Sequence, residues 1–339
     1  MIKKYIILGN NYGWCKYTHA LAEKTDNVEY IDDYLPVRGS LRKKLAHLHY
    51  SNALNSHFSL PLKRIWYGTF YKTIGLNYNS SDVLIIYDNN KLCNDVAFLN
   101  SVKKRFPQIT LVYMFTNIIA KSRAIENNFV GELNKYYDIV FAFDRVDAEK
   151  YGFSYSPLVY SPDVSVKHDS SSKGENVFYI GNAKDRIDML HSSFNRLISL
   201  GVKCNFFIVG VPQEKQIHNE SIKYNTTLPY NVVLDHIQDS TCLLDVIQGD
   251  STGLTIKVCE AVYFNKKLIT TNKDVMNYDF YDDRFIEVIE SVADISEKFL
   301  HENKKVEYKE SGREYFSLNA LINRINNIID SRSWVAVDS

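Results

Sequence analysis

The sequence lacks any apolar run that approaches the roughly 18 residues of a membrane-spanning helix. Its first apolar run, Tyr5–Leu8, is shorter than the core of a signal peptide, and no small-residue cleavage site follows it. An excess of charge of either sign is also missing, because 40 basic residues balance 40 acidic ones. We therefore expect a cytoplasmic protein with no overall field that attracts nucleic acid.

Residue patterns for metal and dinucleotide binding are absent as well. The five cysteines form no C-x-x-C pair, and their odd number and wide spacing argue against a disulfide framework or a zinc site. Asp282 and Asp283 do not form a D-x-D pattern at a strand end, and the segment from Gly9 to Gly13 does not match G-x-G-x-x-G. We expect no metal site and no dinucleotide fingerprint.

Short apolar runs recur along the chain, and each is followed by a polar loop and a helical pattern. Such runs, rich in Val, Ile, Phe and Tyr, are typical of strands that are covered on both faces. Strands that alternate with helices predict parallel sheets. The predicted strands are Tyr5–Leu8, Val28–Ile31, Val83–Tyr87, Thr110–Phe115, Ile139–Phe143, Val177–Ile180, Cys204–Val209, Thr241–Val246, Leu268–Thr271 and Phe285–Val288. The predicted helices are Asn94–Arg105, Arg186–Leu200 and Gly253–Tyr263.

The strand–helix pattern occurs twice, which predicts two Rossmann-like domains in an α/β fold. A polar stretch that contains three consecutive serines separates the two halves and is typical of a linker. We place the first domain at residues 1–160, the linker at 161–175 and the second domain at 176–312. An amphipathic helix over Arg313–Ile329 follows, within a terminal segment at 313–330.

The most informative stretch is Gln248–Asn272, which predicts a polar loop, a helix and a buried strand. Gly253, Leu254 and Thr255 are predicted at the helix start, where unpaired backbone N–H groups attract phosphate. Lys257 adds a cation near this end, and Glu260 follows about one and a half turns after Thr255. We expect this segment to bind the diphosphate and the ribose of a nucleotide, although an ordinary amphipathic core helix also fits the pattern.

A second predicted helix start follows Gly181. Lys184 and Arg186 lie beside it, where cations oppose the helix dipole, and such a local conflict is typical of a functional site. Solvated first-turn residues are the alternative. Gln248, at the end of another strand, is expected to face the crevice where α/β sheets bind ligands. Tyr230 either packs on a nucleotide base or belongs to a simple Pro-Tyr turn.

The motif from Gly253 to Ala261, followed by Lys-Lys-Leu-Ile-Thr-Thr-Asn, resembles the donor-site helix of GT-B glycosyltransferases of bacterial surface-polysaccharide assembly (lipopolysaccharide, capsule). Many of these enzymes have an acidic residue eight positions before the glutamate, where this sequence has Thr252. The resemblance implies two domains that face a cleft and a terminal helix that crosses back to the first domain. It also implies metal-independent hexosyl transfer, without a cofactor, from a nucleotide-sugar, most plausibly a UDP-sugar, to a glycan or lipid-linked acceptor.

Residues just past the strands of the first domain are the candidates for the acceptor side. Asp88 is the first candidate for a base that deprotonates an acceptor hydroxyl, although Asp also favours caps and turns. His19 is a weaker candidate, since lone histidines are usually structural. The residues expected to contact the acceptor or the transferred sugar are Asn10, Asn11, Tyr12 and Asn117.

Residues 34–81 contain no aspartate or glutamate. They contain several basic residues, and Trp66, Tyr67, Phe70 and Tyr71 follow the second basic pair. This composition suits the surface of an anionic membrane, with the rings at headgroup level, so the protein is expected to be peripheral at the inner face of the membrane. RNA binding, a phosphate-rich acceptor pocket and a plain solvated basic face are the alternatives.

Two other functions also fit the sequence. A nucleotide-sugar epimerase of the same fold would use similar diphosphate contacts and would convert its donor without an acceptor. A non-catalytic nucleotide-binding protein of polysaccharide assembly is the other alternative, and Thr252 in place of an acid keeps it open.

Overall fold

The computed structural model describes residues 3–9, 13–51, 53–55, 60–76, 81–122, 124, 129–166, 175–249, 251–302 and 304–337. The chain divides into two compact units. The first comprises Met1–Ser156 and Leu321–Ser339, and the second comprises Pro157–Ala320. The predicted linker at 161–175 lies largely outside the described residues, because 167–174 are not among them.

A six-stranded parallel sheet forms the centre of the first unit. Its order is β2-β1-β3-β4-β5-β6, which extends the 2-1-3-4-5 order of flavodoxin-like sheets. All five residues of the third strand are buried, as expected for an apolar strand covered on both faces. The strands are β1 (Tyr5–Leu8), β2 (Val28–Ile31), β3 (Val83–Tyr87), β4 (Thr110–Met114), β5 (Ile139–Ala142) and β6 (Ser154–Tyr155).

Helices connect these strands, and aspartates cap two of them. Asp95 accepts a hydrogen bond from the Phe98 N–H at 3.0 Å, and Asp144 accepts one from the Val146 N–H at 2.9 Å. The α-helices described between residues 13 and 156 are α1 (Cys15–Thr18), α2 (Ser40–His49), α3 (Tyr67–Ile74), α4 (Val96–Arg105), α5 (Leu133–Tyr136) and α6 (Arg145–Tyr151). Short 3-10 segments cover Ala20–Lys24, Lys63–Trp66, Ile119–Lys121 and Val130–Glu132.

Gly9 lies directly after β1, where the ring of Tyr30 approaches its backbone. A Cβ atom at Gly9 would lie 2.2 Å from Tyr30 Oη and 2.5 Å from Tyr30 Cζ. We therefore expect Gly9→Ala to lower the free energy of unfolding by about 1–3 kcal/mol through overpacking, as measured by urea titration. Gly13→Ala is the matched control, because no heavy atom lies within 4 Å of a Cβ there. Equal losses in the two variants would contradict the overpacking argument.

The second unit also contains a six-stranded parallel sheet. Read from one edge, the strand order is β9-β8-β7-β10-β11-β12. When β7 to β12 are counted as strands 1 to 6 of this unit, this is the 3-2-1-4-5-6 order of Rossmann folds. The order reverses between β7 and β10, so these two neighbouring strands form the topological switch point. The strands are β7 (Asn176–Asn182), β8 (Lys203–Val209), β9 (Ile222–Tyr224), β10 (Cys242–Asp245), β11 (Lys267–Thr270) and β12 (Ile286–Val288).

The second unit contains the helices predicted over 186–200 and 253–263, whereas its helices before β10 and after β12 were not predicted, and the terminal segment also differs. There the single predicted helix over 313–329 is wrong, because two helices meet near Ser317, whose hydroxyl accepts from the Ala320 N–H at 3.0 Å. The helices are α7 (Ile187–Ser199), α8 (Tyr230–Asp239), α9 (Ile256–Phe264), α10 (Glu297–His301), α11 (Glu310–Tyr315) and α12 (Leu318–Val337), which enters the first unit at Leu321. The 3-10 segments are Gln213–Lys215, Lys273–Asn277 and Val292–Asp294.

The segment that opens the second unit is part of its core. Tyr160 donates its N–H to the Phe316 carbonyl at 2.7 Å, and Ser161 Oγ accepts from the Leu318 N–H at 2.8 Å. Tyr263 donates its hydroxyl to the Pro162 carbonyl at 3.0 Å. These contacts explain why the unit boundary falls after Ser156 and not after residue 160.

None of the described helices is long and apolar enough to cross a membrane.

Candidate functional site

The switch point of the second sheet brings two loops together. One loop follows β7 and leads into α7, and the other follows β10 and leads into α9. In open α/β sheets, ligands bind in the crevice outside the carboxyl ends of the strands at such a point. The residues that we predicted for nucleotide binding lie mainly in these two loops and at the two helix starts.

Two basic side chains link the loops. Lys184 Nζ donates to Gln248 Oε1 at 2.6 Å, and both side chains lie at the carboxyl edge of the sheet. The Arg186 guanidinium donates to the backbone carbonyls of Val246, Asn182 and Ala183. All three guanidinium nitrogens thus bond to the protein, and Arg186 holds the two loops together. The prediction was different, namely that Arg186 presents a free fork to a diphosphate.

The backbone at Lys184 adopts a left-handed conformation, with φ of +47°. This conformation is uncommon for a residue with a Cβ, and such outliers cluster at functional sites. Its side chain is exposed. Gly249 in the opposite loop also has a positive φ, and a Cβ there would lie 3.9 Å from Asp185 Oδ2. Each loop thus contains a residue with a positive φ where the two loops approach each other.

The start of α9 differs by three residues from the predicted start at Gly253. Gly253 and Leu254 are buried before the helix, and Thr255 is the N-cap residue. Asn272 fixes this approach by donating to the carbonyls of Gly253 at 3.1 Å and Thr252 at 3.4 Å. The sequence did not predict this role of Asn272, and its position after β11 was the only indication of it.

Both helix starts keep unpaired backbone donors. Within the part of the chain that the structure describes, the N–H groups of Thr255, Ile256 and Lys257 donate to no protein acceptor. The same holds at the start of α7 for Ile187 and Asp188. No acidic residue occupies the first turn of α9. This end offers a positive partial charge and several donors to an anion.

Lys257 and Glu260 form a buried ion pair instead of facing a ligand. Lys257 Nζ lies 2.6 Å from Glu260 Oε2, and the Tyr230 hydroxyl donates to Glu260 Oε1 at 2.8 Å. Glu260 has no exposed surface. The predicted direct bonds of Glu260 to a ribose and of Lys257 to a diphosphate are therefore not available in this arrangement, because protein groups occupy these atoms.

Tyr230 belongs to the same network. Its hydroxyl lies 3.2 Å from the hydroxyl of Tyr160, and burial together with the charge of Glu260 raises the pKa values of both tyrosines. Its hydroxyl is directed into the protein, which leaves the predicted packing of Tyr230 on a base as a prediction. Tyr160 was not predicted, because its partners are 70 or more residues away in the sequence.

Asp245 lies below the two loops, at the last position of β10. It is buried, and the Thr270 hydroxyl donates to Asp245 Oδ2 at 2.9 Å. Burial raises the pKa of Asp245, whereas the hydrogen bond from Thr270 lowers it. The carboxyl therefore links β10 to β11 immediately below the switch point.

In the first unit, Asp88 lies directly after β3 and is almost fully buried. Its Oδ1 accepts from the Thr116 hydroxyl at 2.7 Å and from the Asn89 amide at 3.1 Å. Burial raises the pKa of Asp88 to about 6, although hydrogen bonds from the Thr116 hydroxyl and from backbone N–H groups oppose the rise. A carboxyl with a pKa near neutrality at a strand end is suited to general base catalysis.

His19 has a structural position, and its predicted catalytic role is corrected. Its Nε2 lies 2.6 Å from the Tyr87 hydroxyl, its Nδ1 lies 3.0 Å from the Cys15 carbonyl, and its ring stacks on Tyr30. Burial lowers the pKa of His19 to about 4. Because both ring nitrogens have protein partners and the side chain is buried, no nitrogen is available to an acceptor hydroxyl.

The other predicted acceptor-side residues give little further geometry. Asn117 is exposed after β4, and its Oδ1 accepts from the N–H of the next residue, Ile118, at 2.9 Å. Asn10, Asn11 and Tyr12 lie outside the described residues.

Within the described ranges, no group of three or more His, Cys, Asp or Glu side chains is arranged to hold a metal ion. Metal-independent activity without a cofactor stays a prediction.

No protein-family model matches this sequence, and no curated protein matches it. Solved structures resemble the chain over most of its length. Sucrose-phosphate synthase from Thermosynechococcus elongatus has 7% identity and a TM-score of 0.51, with 99% of this chain and 100% of that chain covered. The α,α-trehalose 6-phosphate synthase from Burkholderia multivorans has 9% identity and a TM-score of 0.53, with 100% and 98% covered.

A third similar structure is the accessory secretory protein 1, 2 and 3 complex of Streptococcus pneumoniae. It has 8% identity and a TM-score of 0.52, with 80% of this chain and 58% of that chain covered. At such identities the likenesses show the fold alone. The predicted α/β fold class, with two Rossmann-like units of the GT-B type, is confirmed.

Proposed function

We propose that this protein is a glycosyltransferase that transfers a sugar from a nucleotide-sugar. One observation supports this function above the others. Two loops at the switch point of a Rossmann sheet are joined by Lys184 and Arg186, and the adjacent helix starts present unpaired N–H groups. Two linked donor surfaces suit a ligand with two neighbouring phosphates. The likeness to structures named as sucrose-phosphate and trehalose 6-phosphate synthases supports the same class.

The chemistry follows from where negative charge develops. When the bond between the sugar and the diphosphate breaks, charge accumulates on the leaving diphosphate. The N–H groups at Ile256 and Lys257, together with the exposed Lys184 ammonium, stabilise that charge. Arg186 holds both loops in place, so little reorganisation is needed during the reaction. Asp88 takes the proton of the acceptor hydroxyl.

The finer assignments belong to this proposal as well. The transferred sugar is a hexose, the nucleotide is UDP, and transfer needs no metal. The acceptor is a glycan or a lipid-linked glycan of bacterial surface-polysaccharide synthesis. These assignments rest on the resemblance of the donor segment from Gly253 to Asn272 to that enzyme class. A donor screen that compares UDP, GDP, CMP and ADP by thermal shift distinguishes the nucleotides, because a bound ligand stabilises the folded state.

Ile256→Pro tests the helix start directly. Proline is well tolerated at the first helical position but removes one N–H donor, and Thr255 already has the extended ψ of 165° that proline requires before it. Loss of a hydrogen bond to a charged group is worth about 1.5–3 kcal/mol. We therefore expect the Kd for UDP to rise about 10- to 100-fold with little change in the melting temperature of the free protein.

Glu297→Pro is the matched control, because it also places proline at the first position of a helix of the same unit, α10. It is expected to leave the Kd for UDP unchanged. An unchanged Kd in Ile256→Pro would refute the assignment of the diphosphate to α9. Conversion of a UDP-sugar without acceptor would instead favour the epimerase, and nucleotide binding with no transfer would favour a non-catalytic protein.

A further inference from the structure

Helix α2 presents its apolar side chains to solvent. Leu41, Leu45 and Leu48 recur at helical spacing on one face, and Leu41 is 70% and Leu48 58% exposed. The opposite face packs inward through Ala46, which is fully buried. In a helix of a soluble protein the apolar stripe normally faces the core. The exposed leucines of α2 therefore do not stabilise the fold.

A second apolar group lies beside the end of α2. Leu62 is 74% and Ile65 is 65% exposed. His49 joins the two segments, because its Nε2 lies 2.8 Å from the Pro61 carbonyl and the Trp66 indole donates to its Nδ1 at 3.0 Å. We name the surface formed by α2 and residues 61–66 the leucine face.

The backbone of the leucine face also contains an outlier. Leu62 has a positive φ of +65°, which is strained for a residue with a branched side chain. A strained backbone that directs a leucine into water has no benefit for folding. Such a feature is typical of a functional surface.

The leucine face itself, formed by α2 and residues 61–66, contains basic residues and no acidic residue. Arg38, Arg42, Lys44 and Arg64 are exposed, and residues 34–81 include no acidic residue. The neighbouring Asp33 is already paired with Lys43 and lies 3.1 Å from His47 Nε2. Exposed apolar side chains flanked by exposed arginine and lysine are complementary to a lipid surface with anionic headgroups.

The structure corrects which side chains would enter the lipid. The aromatic residues predicted for headgroup level are mostly in the core, because Tyr67, Phe70 and Tyr71 are buried. We propose that the leucine face docks this protein on an anionic bilayer surface, with Leu41, Leu45, Leu48, Leu62 and Ile65 at the level of the acyl boundary. This inference goes beyond the proposed sugar transfer and does not depend on the nucleotide site.

Vesicle flotation of the full chain tests this inference. We expect the protein to float with phosphatidylcholine vesicles that contain phosphatidylglycerol and to remain unbound with phosphatidylcholine alone. The variant Leu41→Ser/Leu45→Ser/Leu48→Ser is expected to reduce the partition coefficient at least tenfold, because it removes the inserted side chains. Arg38→Gln/Arg42→Gln/Lys44→Gln is expected to reduce binding to the anionic vesicles and its sensitivity to salt.

The matched control is Val146→Ser/Ile198→Ser/Met276→Ser, which removes three exposed apolar side chains elsewhere. It is expected to float like the unmodified protein. No flotation with anionic vesicles, equal flotation of the leucine variant, or equal binding to neutral vesicles would overturn the inference. So would a dimer in light scattering that the leucine variant converts to a monomer, since a second copy would then cover this face. The UDP thermal shift of the same samples reports on the nucleotide site separately.

Discussion

Replacing Lys257 by Met is expected to lower the free energy of unfolding by about 3–5 kcal/mol, because it leaves the carboxylate of Glu260 buried without its cation. Glu260→Met is expected to cost a similar amount by leaving the Lys257 ammonium unpaired. Urea titration followed by far-UV circular dichroism measures both. Tryptophan fluorescence is unsuitable here, because residues 157–320 contain no tryptophan.

The double variant Lys257→Met/Glu260→Met removes both charges together. We expect it to be close to the unmodified protein in stability, because apolar residues often replace a buried ion pair at little cost. The Tyr230 hydroxyl then still has the Tyr160 hydroxyl 3.2 Å away. Lys273→Met is the matched control, since the exposed pair of Lys273 and Glu290 has the same 2.6 Å separation. It is expected to cost less than about 1 kcal/mol.

The same double variant separates two roles of Glu260. If Glu260 only holds the start of α9 in place, the folded double variant retains the thermal shift with UDP, which is the result that its burial leads us to expect. Loss of that shift in a variant of normal stability would restore the ribose contact that the sequence predicted. A double variant as unstable as either single variant would contradict the view that the pair is replaceable.

Most strands were predictable because their chemistry is local. β1 and β3 have the predicted bounds, since a continuous apolar run suits a strand covered on both faces. β2 also has the predicted bounds, although it contains Glu29 and its residues are only partly buried. The sequence did not reveal β6 or β9. β6 comprises only Ser154 and Tyr155, and β9 is a three-residue edge strand that contains Lys223. Pairing with a neighbouring strand, which a local pattern does not encode, defines both of these edges.

The candidate site was predictable in position but not in the state of its side chains. The loops after β7 and β10 meet where the motifs predicted a crevice. The partners of Arg186 are carbonyls of two different loops, and those of Glu260 include Tyr230 from another helix. Such partners are set by tertiary packing. The sequence therefore indicated where the charged side chains lie, but not that they already form hydrogen bonds and ion pairs within the protein.

The leucine face shows a similar limit. The absence of acidic residues over 34–81 indicated a surface for an anionic partner. Helical periodicity alone predicts that Leu41, Leu45 and Leu48 share a face, but a shared apolar face is normally buried. Only their exposure in the structure identifies them as side chains available to a partner, whereas the aromatic residues after Arg64 belong to the core.

Asp88→Asn is expected to lower kcat for sugar transfer by about 10²- to 10⁴-fold, the usual contribution of a general base. The thermal shift with UDP is expected to be unchanged. The assay is UDP release from a UDP-sugar in the presence of a glycan acceptor. Asp144→Asn is the matched control, because Asp144 is also a buried aspartate after a strand, and asparagine caps a helix about as well as aspartate does.

The pH dependence of the unmodified enzyme gives an independent test. Because the pKa of Asp88 is about 6, the transfer rate is expected to rise about tenfold per pH unit below pH 6 as the carboxylate forms, and to level above it. A rate that is independent of pH between about 5 and 7 would contradict a base with that pKa.

The same pKa fixes the sign of a stability effect. Burial raises the pKa of Asp88 above the ordinary value of about 3.9, so the folded state binds more protons than the unfolded state between about pH 4 and 6. The free energy of unfolding therefore falls as the pH rises through this range, and the loss persists above it. Asp88→Asn removes this charge and is expected to stabilise the protein at pH 8 by about 2 kcal/mol relative to its effect at pH 4. If Asp88→Asn is slower in catalysis and more stable at pH 8, Asp88 is a catalytic group whose charge is held in an environment that is unfavourable for folding. If Asp88→Asn is less stable at both pH values, Asp88 is instead a structural hydrogen-bond partner of Thr116.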